Sequence, residues 1–290
     1  MTELAGAAAA GGPTNGAGSA PTGAGAGDAA PAAAGEQRIA AAFAGHSRRA
    51  ALMPYLMGGF PDEQGSARAA EACAEAGADL IELGVPFSDP LADGPAIHAA
   101  GTRALAAGAT VDGVLRVCEA VAPRLPVVLM VYVNAVLAGG ADAFCRRAAD
   151  AGAAGMIVPD LPHEEAGELR AACRAPGLAL VPLAAPSSTD ERLRDIGAEA
   201  RGFVYAVSLA GTTGERGELP ADLPGTVERV RAATTVPVAV GFGISTGEQA
   251  RRVADLADGV IVGSRIVRAA EEGGAEAVRD VVASLARALA

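Results

Sequence analysis

The stretch "DLIELGVPFSDPLADGPAIHAA", residues 79–100, runs from an apolar strand into a proline-stiffened acidic loop and on into an alanine-rich segment. The same order recurs along the body of the chain: apolar or β-branched runs, each followed by an Ala-rich amphipathic stretch. The strand candidates are "ALMPYLM" (51–57), "DLIELGV" (79–85), "PVVLMVY" (126–132), "GMIVPD" (155–160), "LALVPL" (178–183), "GFVYAVS" (202–208), "VPVAVGFG" (236–243) and "DGVIVGS" (258–264). Gly or Ala turns such as "EAGAD" and "DAGAAG" precede several of them, as expected where a helix ends before the next parallel strand.

Eight such units predict a parallel, eight-stranded (β/α)₈ TIM barrel. Residues 1–35 are nearly all Ala, Gly, Pro and small polar types, with no hydrophobic period, and read as a disordered tail. That leaves residues 36–290 as one catalytic domain, close to the roughly 250 residues typical of such a barrel. A doubly wound open sheet would carry a G-x-G-x-x-G turn after its first strand, and none stands there.

Composition narrows the chemistry. A net charge of -11 disfavours nucleic acid and anionic membrane surfaces as partners. The apolar run "LPVVLMVYVNAVLA" from Leu125 is too short to span a bilayer and is broken by Pro126 and Asn134. Cys73, Cys118, Cys145 and Cys173 lie far apart without a C-x-x-C pair, so reduced core thiols of a cytoplasmic protein are expected. There is no lysine, so this polypeptide forms no Schiff base with a substrate and attaches no pyridoxal phosphate.

In a barrel, the catalytic groups sit at the C-terminal strand ends and in the loops that follow. Alternation puts Leu80, Glu82 and Gly84 on one face of their strand and aliphatic Ile81, Leu83 and Val85 on the other. The aliphatic face suits the helix ring, which points Glu82 into the barrel mouth. A buried carboxylate is costly and is usually kept for function. Asp93 falls in the loop, where "ADG" is also plain turn chemistry. "VGFGIS" (240–245) and "VGSRIV" (262–267) each leave a strand through glycine into a helix start, where backbone N–H groups favour an anion. Loops after strands seven and eight are the recurrent phosphate site of this fold. His98 and His163 have no partner at metal-ligand spacing and read as helix-surface or capping residues. Glu164 and Glu165 read as first-turn helix charge. "SLAGTTGERGEL" (208–219) fits a mobile lid.

From about Glu36 to the C-terminus the chain resembles the tryptophan synthase alpha subunit, chiefly through "ELGVPFSDPLADGP" (82–95), with "GFGIS", "GS" at 263–264, "DLP" at 160–162 and the glycine-rich lid in support. The resemblance implies retro-aldol cleavage of indole-3-glycerol phosphate to indole and glyceraldehyde 3-phosphate, late in tryptophan biosynthesis. It makes Glu82 the general acid–base group and Asp93 the carboxylate facing the ring N–H. By the same resemblance Tyr205, Tyr132, Ile97 and Phe242 line the pocket, Thr213 organises Asp93, and Gly214, Gly243, Gly263 and Ser264 hold the phosphate. Pro86 and Asp89 would face a beta subunit in an alpha2-beta2 heterotetramer, with pyridoxal phosphate in the beta subunit and no cofactor in this chain. Leu209 and Thr212, where arginine and valine are common, and Met57 and Gly58 depart from the pattern. Two rivals are a free-standing indole-releasing lyase and a weakly catalytic scaffold that activates a beta subunit.

Overall fold

The computed structural model describes residues 34–207, 219–241 and 243–290. Its strands are β1 (Ala51–Met57), β2 (Ile81–Gly84), β3 (Val127–Met130), β4 (Gly155–Ile157), β5 (Ala179–Leu180), β6 (Leu183–Ala184), β7 (Val204–Val207), β8 (Val238–Gly241) and β9 (Gly259–Val262). The helices are α1 (Ala34–Ala44), α2 (Glu63–Glu75), α3 (Pro95–Ala106), α4 (Val111–Val121), α5 (Val133–Leu137), α6 (Ala141–Asp150), α7 (Gly167–Arg174), α8 (Asp190–Glu199), α9 (Leu223–Ala233), α10 (Gly247–Ala254) and α11 (Ser264–Leu289). Strands and helices alternate in one parallel sheet of order β5-β4-β3-β2-β1-β9-β8-β7-β6.

The two ends of that sheet are one stretch of chain. The expected fifth strand is split into β5 and β6, with only Val181 and Pro182 between them. Val181 N–H donates to Met156 O of β4 at 2.9 Å, while Pro182 O accepts from Tyr205 N–H of β7 at 3.0 Å. Pairing therefore passes from one neighbour to the other across a proline, which has no N–H to give, and the sheet closes on itself. The other seven strands fall inside their expected ranges, mostly shorter at the ends.

β1 to β4, β8 and β9 are buried along their whole length, as a parallel sheet covered by helices requires. Carboxylates pin neighbouring units together from outside the ladder. Asp79 Oδ2 accepts from Leu52 N–H at 2.7 Å and Asp258 Oδ2 from Val238 N–H at 2.8 Å, both at the N-terminal ends of strands. At the opposite face Asp160 Oδ1 accepts from Val133 N–H at 2.9 Å.

α1 closes the N-terminal end of the barrel. Its Arg38 donates to Gly152 O at 2.7 Å, Ala122 O at 2.5 Å and Leu125 O at 3.2 Å, carbonyls at or just beyond the ends of α4 and α6. Gly35 N–H reaches Gly177 O at 3.1 Å, and Ile39 is fully buried. The first described helix thus begins at Ala34, two residues before the boundary expected from composition. Among the described residues, no helix is long and apolar enough to cross a membrane.

Candidate active site

Glu82 lies near the C-terminal end of β2, and the parallel register sets it opposite Tyr55 of β1. It is buried, and neither of its carboxyl oxygens has a hydrogen-bond partner among the described residues. Burial, joined by the nearby Asp93 carboxylate, pushes its pKa up from 4.5 to about 8. Tyr205, from β7 across the barrel, is buried and feels the Glu82 charge, so the carboxyl points inward as strand alternation requires.

The three tyrosines of the chain, Tyr55, Tyr132 and Tyr205, all line this space. Two glycines make room for them: a Cβ on Gly84 would overlap the Tyr55 phenol, and one on Gly241 the Tyr205 phenol. Sequence reasoning missed Tyr55, although it is the lone polar-tipped residue in "ALMPYLM". Its membership of the site depends on β1–β2 register, which no local pattern carries.

Asp93 sits in the loop between β2 and α3, half-buried, with its Oδ1 accepting from the Tyr132 hydroxyl at 3.0 Å. The Tyr132 oxygen also accepts from Ala92 N–H at 3.1 Å, and its ring stacks on Phe87 at 5.2 Å between centroids. Burial pushes the Asp93 pKa up to about 6, against a lowering by the Tyr132 hydrogen bond and by His98. Two carboxyls of unequal surroundings therefore face one pocket, a pattern suited to separate acid and base duties. His98 is exposed on α3 as expected. His163 opens a single 3₁₀ turn and lies 3.7 Å from Glu199. Glu164 and Glu165 share that turn rather than opening an α-helix. No cluster of metal ligands exists among the described residues.

The two glycine loops differ in how the helix that follows each is capped. At α10 the Gln249 side chain accepts from Ser245 N–H at 2.8 Å and Thr246 N–H at 3.1 Å, while Thr246 Oγ1 accepts from Gln249 N–H at 3.2 Å. That reciprocal cap takes the N–H groups of Ser245, Thr246 and Gln249. Gly243, with φ at +81°, remains the backbone feature of this loop. At α11 the N-cap is Gly263, no side chain caps the helix, and Ser264 opens it. A Cβ on Gly263 would stand 3.3 Å from Ile97 Cδ1 and 3.8 Å from Tyr55 Cβ, so this uncapped helix start borders the pocket. Thr213, Gly214 and Phe242, and the expected lid apart from Leu219, lie outside the described residues.

Around the mouth, Pro86 is buried within the chain and backs its loop, whereas Asp89 is exposed. Leu91 is 75% exposed and Leu137, on α5, is 57% exposed.

The family model described as tryptophan synthase alpha chain matches residues 42–289. This chain belongs to that family. The curated alpha chain of Carboxydothermus hydrogenoformans is 49% identical over 223 residues, 76% of this chain and 84% of that one. That of Roseiflexus sp. is 48% identical over 227 residues, 77% and 87% of the two chains. Mycobacterium tuberculosis tryptophan synthase superposes with a TM-score of 0.82 at 42% identity, covering 87% of this chain and 98% of that one. The tryptophan synthase a2b2 complex of Pyrococcus furiosus matches with a TM-score of 0.76 at 38% identity, over 81% and 97%. The α/β barrel and the lyase activity of the alpha reaction in tryptophan biosynthesis follow from this membership.

Proposed function

We propose that this chain cleaves indole-3-glycerol phosphate to indole and glyceraldehyde 3-phosphate, with Glu82 moving the protons and Asp93 stabilising the charged ring. A protonated Glu82 gives its proton to ring carbon 3, and Asp93 takes a hydrogen bond from the ring N–H as positive charge develops there. The bond from carbon 3 to the side chain then breaks, and its electron pair enters the protonated ring. The side-chain hydroxyl on the departing carbon loses its proton to the Glu82 carboxylate and becomes the aldehyde. One proton enters and one leaves, so no lysine or electron carrier is needed. Gly263 and Ser264 at the start of α11, with Gly243 and Gly214, hold the phosphate, and Tyr205, Tyr132, Ile97 and Phe242 enclose the ring. Thr213 organises Asp93.

The observation that carries this reading is the Glu82 carboxyl: buried, without a hydrogen-bond partner among the described residues, and with a pKa pushed up to about 8 beside a second carboxylate. A group so placed is protonated at neutral pH and can both give and take a proton. Glu82→Gln in a folded chain is expected to lower indole release by several orders of magnitude. Near-normal turnover in that variant would overturn the assignment.

The partner proposed is a tryptophan synthase beta chain carrying pyridoxal phosphate, in a two-plus-two assembly. Exposed Asp89, Leu91 and Leu137 on the mouth face supply its docking surface. The free, buried cysteines support a reducing, cytoplasmic compartment. Indole release with and without the beta chain separates this reading from a free-standing lyase.

A further inference from the structure

Asp160 stands after β4, away from Glu82 in sequence, and its Oδ1 accepts from Val133 N–H at 2.9 Å. Val133 is the first residue of α5 and Tyr132 its N-cap. A five-residue helix has too few internal hydrogen bonds to hold its own entry, and Tyr132 offers it no side-chain cap. The join between β3 and α5 is therefore pinned from the neighbouring loop by the Asp160 carboxylate. On the other side of the same join, the Tyr132 hydroxyl donates to Asp93 Oδ1 at 3.0 Å and accepts from Ala92 N–H at 3.1 Å. Two acidic residues on loops after β2 and β4 are thus joined through two consecutive residues after β3, Tyr132 and Val133.

The geometry points to Asp160 as a positioning residue for Asp93, acting through Tyr132. This rests on the reading of Asp93 given above. Asp160 contacts a backbone amide and does not itself touch the reacting atoms. Its effect is to fix where the Tyr132 hydroxyl stands, and that hydroxyl decides both the direction of the Asp93 carboxylate and how readily it ionises. The other groups facing Asp93 are Glu82 from β2, Tyr55 from β1 and His98 from α3. None of them is tied to Val133. Asp258 makes the same kind of bond at the opposite barrel face, to Val238 N–H, and serves as a control for a clamp that only stabilises.

The test is the pH dependence of kcat/KM for indole release by the full-length chain with its beta partner. Asp160→Ala is expected to move the acid limb upward by about half a unit to one unit, because Asp93 loses a donor that favours its charged form. Tyr132→Phe should give a similar shift, and the double variant no further one. Asp160→Asn keeps an oxygen for Val133 N–H and should restore the wild-type limb. Asp258→Ala should lower the melting temperature without moving the limb. Should Asp160→Ala fail to fold, Val133→Pro removes the same donor at a first-turn position, and Tyr132, at φ -74° and ψ 143°, already has the backbone that precedes proline. A shift in Tyr132→Phe with none in Asp160→Ala or Val133→Pro overturns the proposal and leaves Asp93 as assigned. No shift in any of them overturns the Asp93 reading, and the proposal with it.

Discussion

Glu82 faces Tyr55 across the β1–β2 ladder, and its two carboxyl oxygens find no hydrogen-bond partner among the described residues. A carboxyl held so has a folded pKa above its unfolded value, so the folded chain binds more protons than the unfolded one between those values. Its neutral form is accommodated below pH 4.5, and that contribution is lost as pH rises through about 8. Glu82→Gln carries no such charge. Its unfolding free energy relative to wild type should therefore climb by roughly 3 to 5 kcal/mol between those limits and then level off. Denaturant titrations at a series of pH values check this, and a difference independent of pH would refute the buried, unpaired carboxyl.

The same two carboxyls shape activity. With Asp93 required as the anion and Glu82 as the acid, kcat/KM for indole release should rise through about 6 and fall through about 8. Because the two groups interact, the limbs belong to the pair. A profile still flat at pH 9 would remove Glu82 from the role of proton donor.

At the phosphate end, Gly243→Asp places a side chain on a backbone with φ at +81° and a negative charge beside the anion site. KM for the phosphate substrate should rise tenfold or more with a smaller change in kcat. Gln249→Ala removes the α10 cap and should cost on the order of 1 kcal/mol of stability while leaving KM near wild type. An unchanged KM in Gly243→Asp would refute the phosphate-site assignment.

Docking of a beta chain is expected to act through the loop that carries both Asp89 and Asp93. A coupling free energy of about 1 to 3 kcal/mol corresponds to a rise in indole release of roughly 5- to 150-fold with saturating partner. Asp89→Ala should lose most of that rise and keep the basal rate. A full rise in the variant would take Asp89 out of the coupling route.

A chain shortened to begin at Ala34 should fold and turn over as the full chain does, since the residues before it are nearly all Ala, Gly, Pro and small polar types with no apolar period to bury. Arg38→Ala is a sharper test of α1. It leaves three carbonyls at the barrel base without their donor, and a loss of about 2 to 4 kcal/mol in unfolding free energy is expected. A loss below about 0.5 kcal/mol would mean that water satisfies those carbonyls as well as the guanidinium does.

Much of this molecule is legible along the chain because the relevant physics is short-ranged. Alternating apolar runs and Gly-ended helices announce the βα units, and the side-chain period of two turns Glu82 inward while Ile81 and Leu83 face the helices. The loop from Val85 to Asp93 is recognisable as letters, and so are the glycines at 243 and 263. What the tertiary structure decided depends on which distant groups meet. Pro182 splits a strand because that strand must pair with β4 on one side and β7 on the other. Tyr55 joins the site through register with a strand more than twenty residues away. Gln249 turns back to cap α10, so of two similar glycine turns only α11 keeps its helix start uncapped. Tyr132 meets Asp93, and Asp160 meets Val133, because three consecutive strands set their loops side by side at one end of the barrel. Periodicity is a property of neighbours in sequence, whereas register, closure and the pairing of hydrogen-bond donors are settled only when the chain has closed on itself.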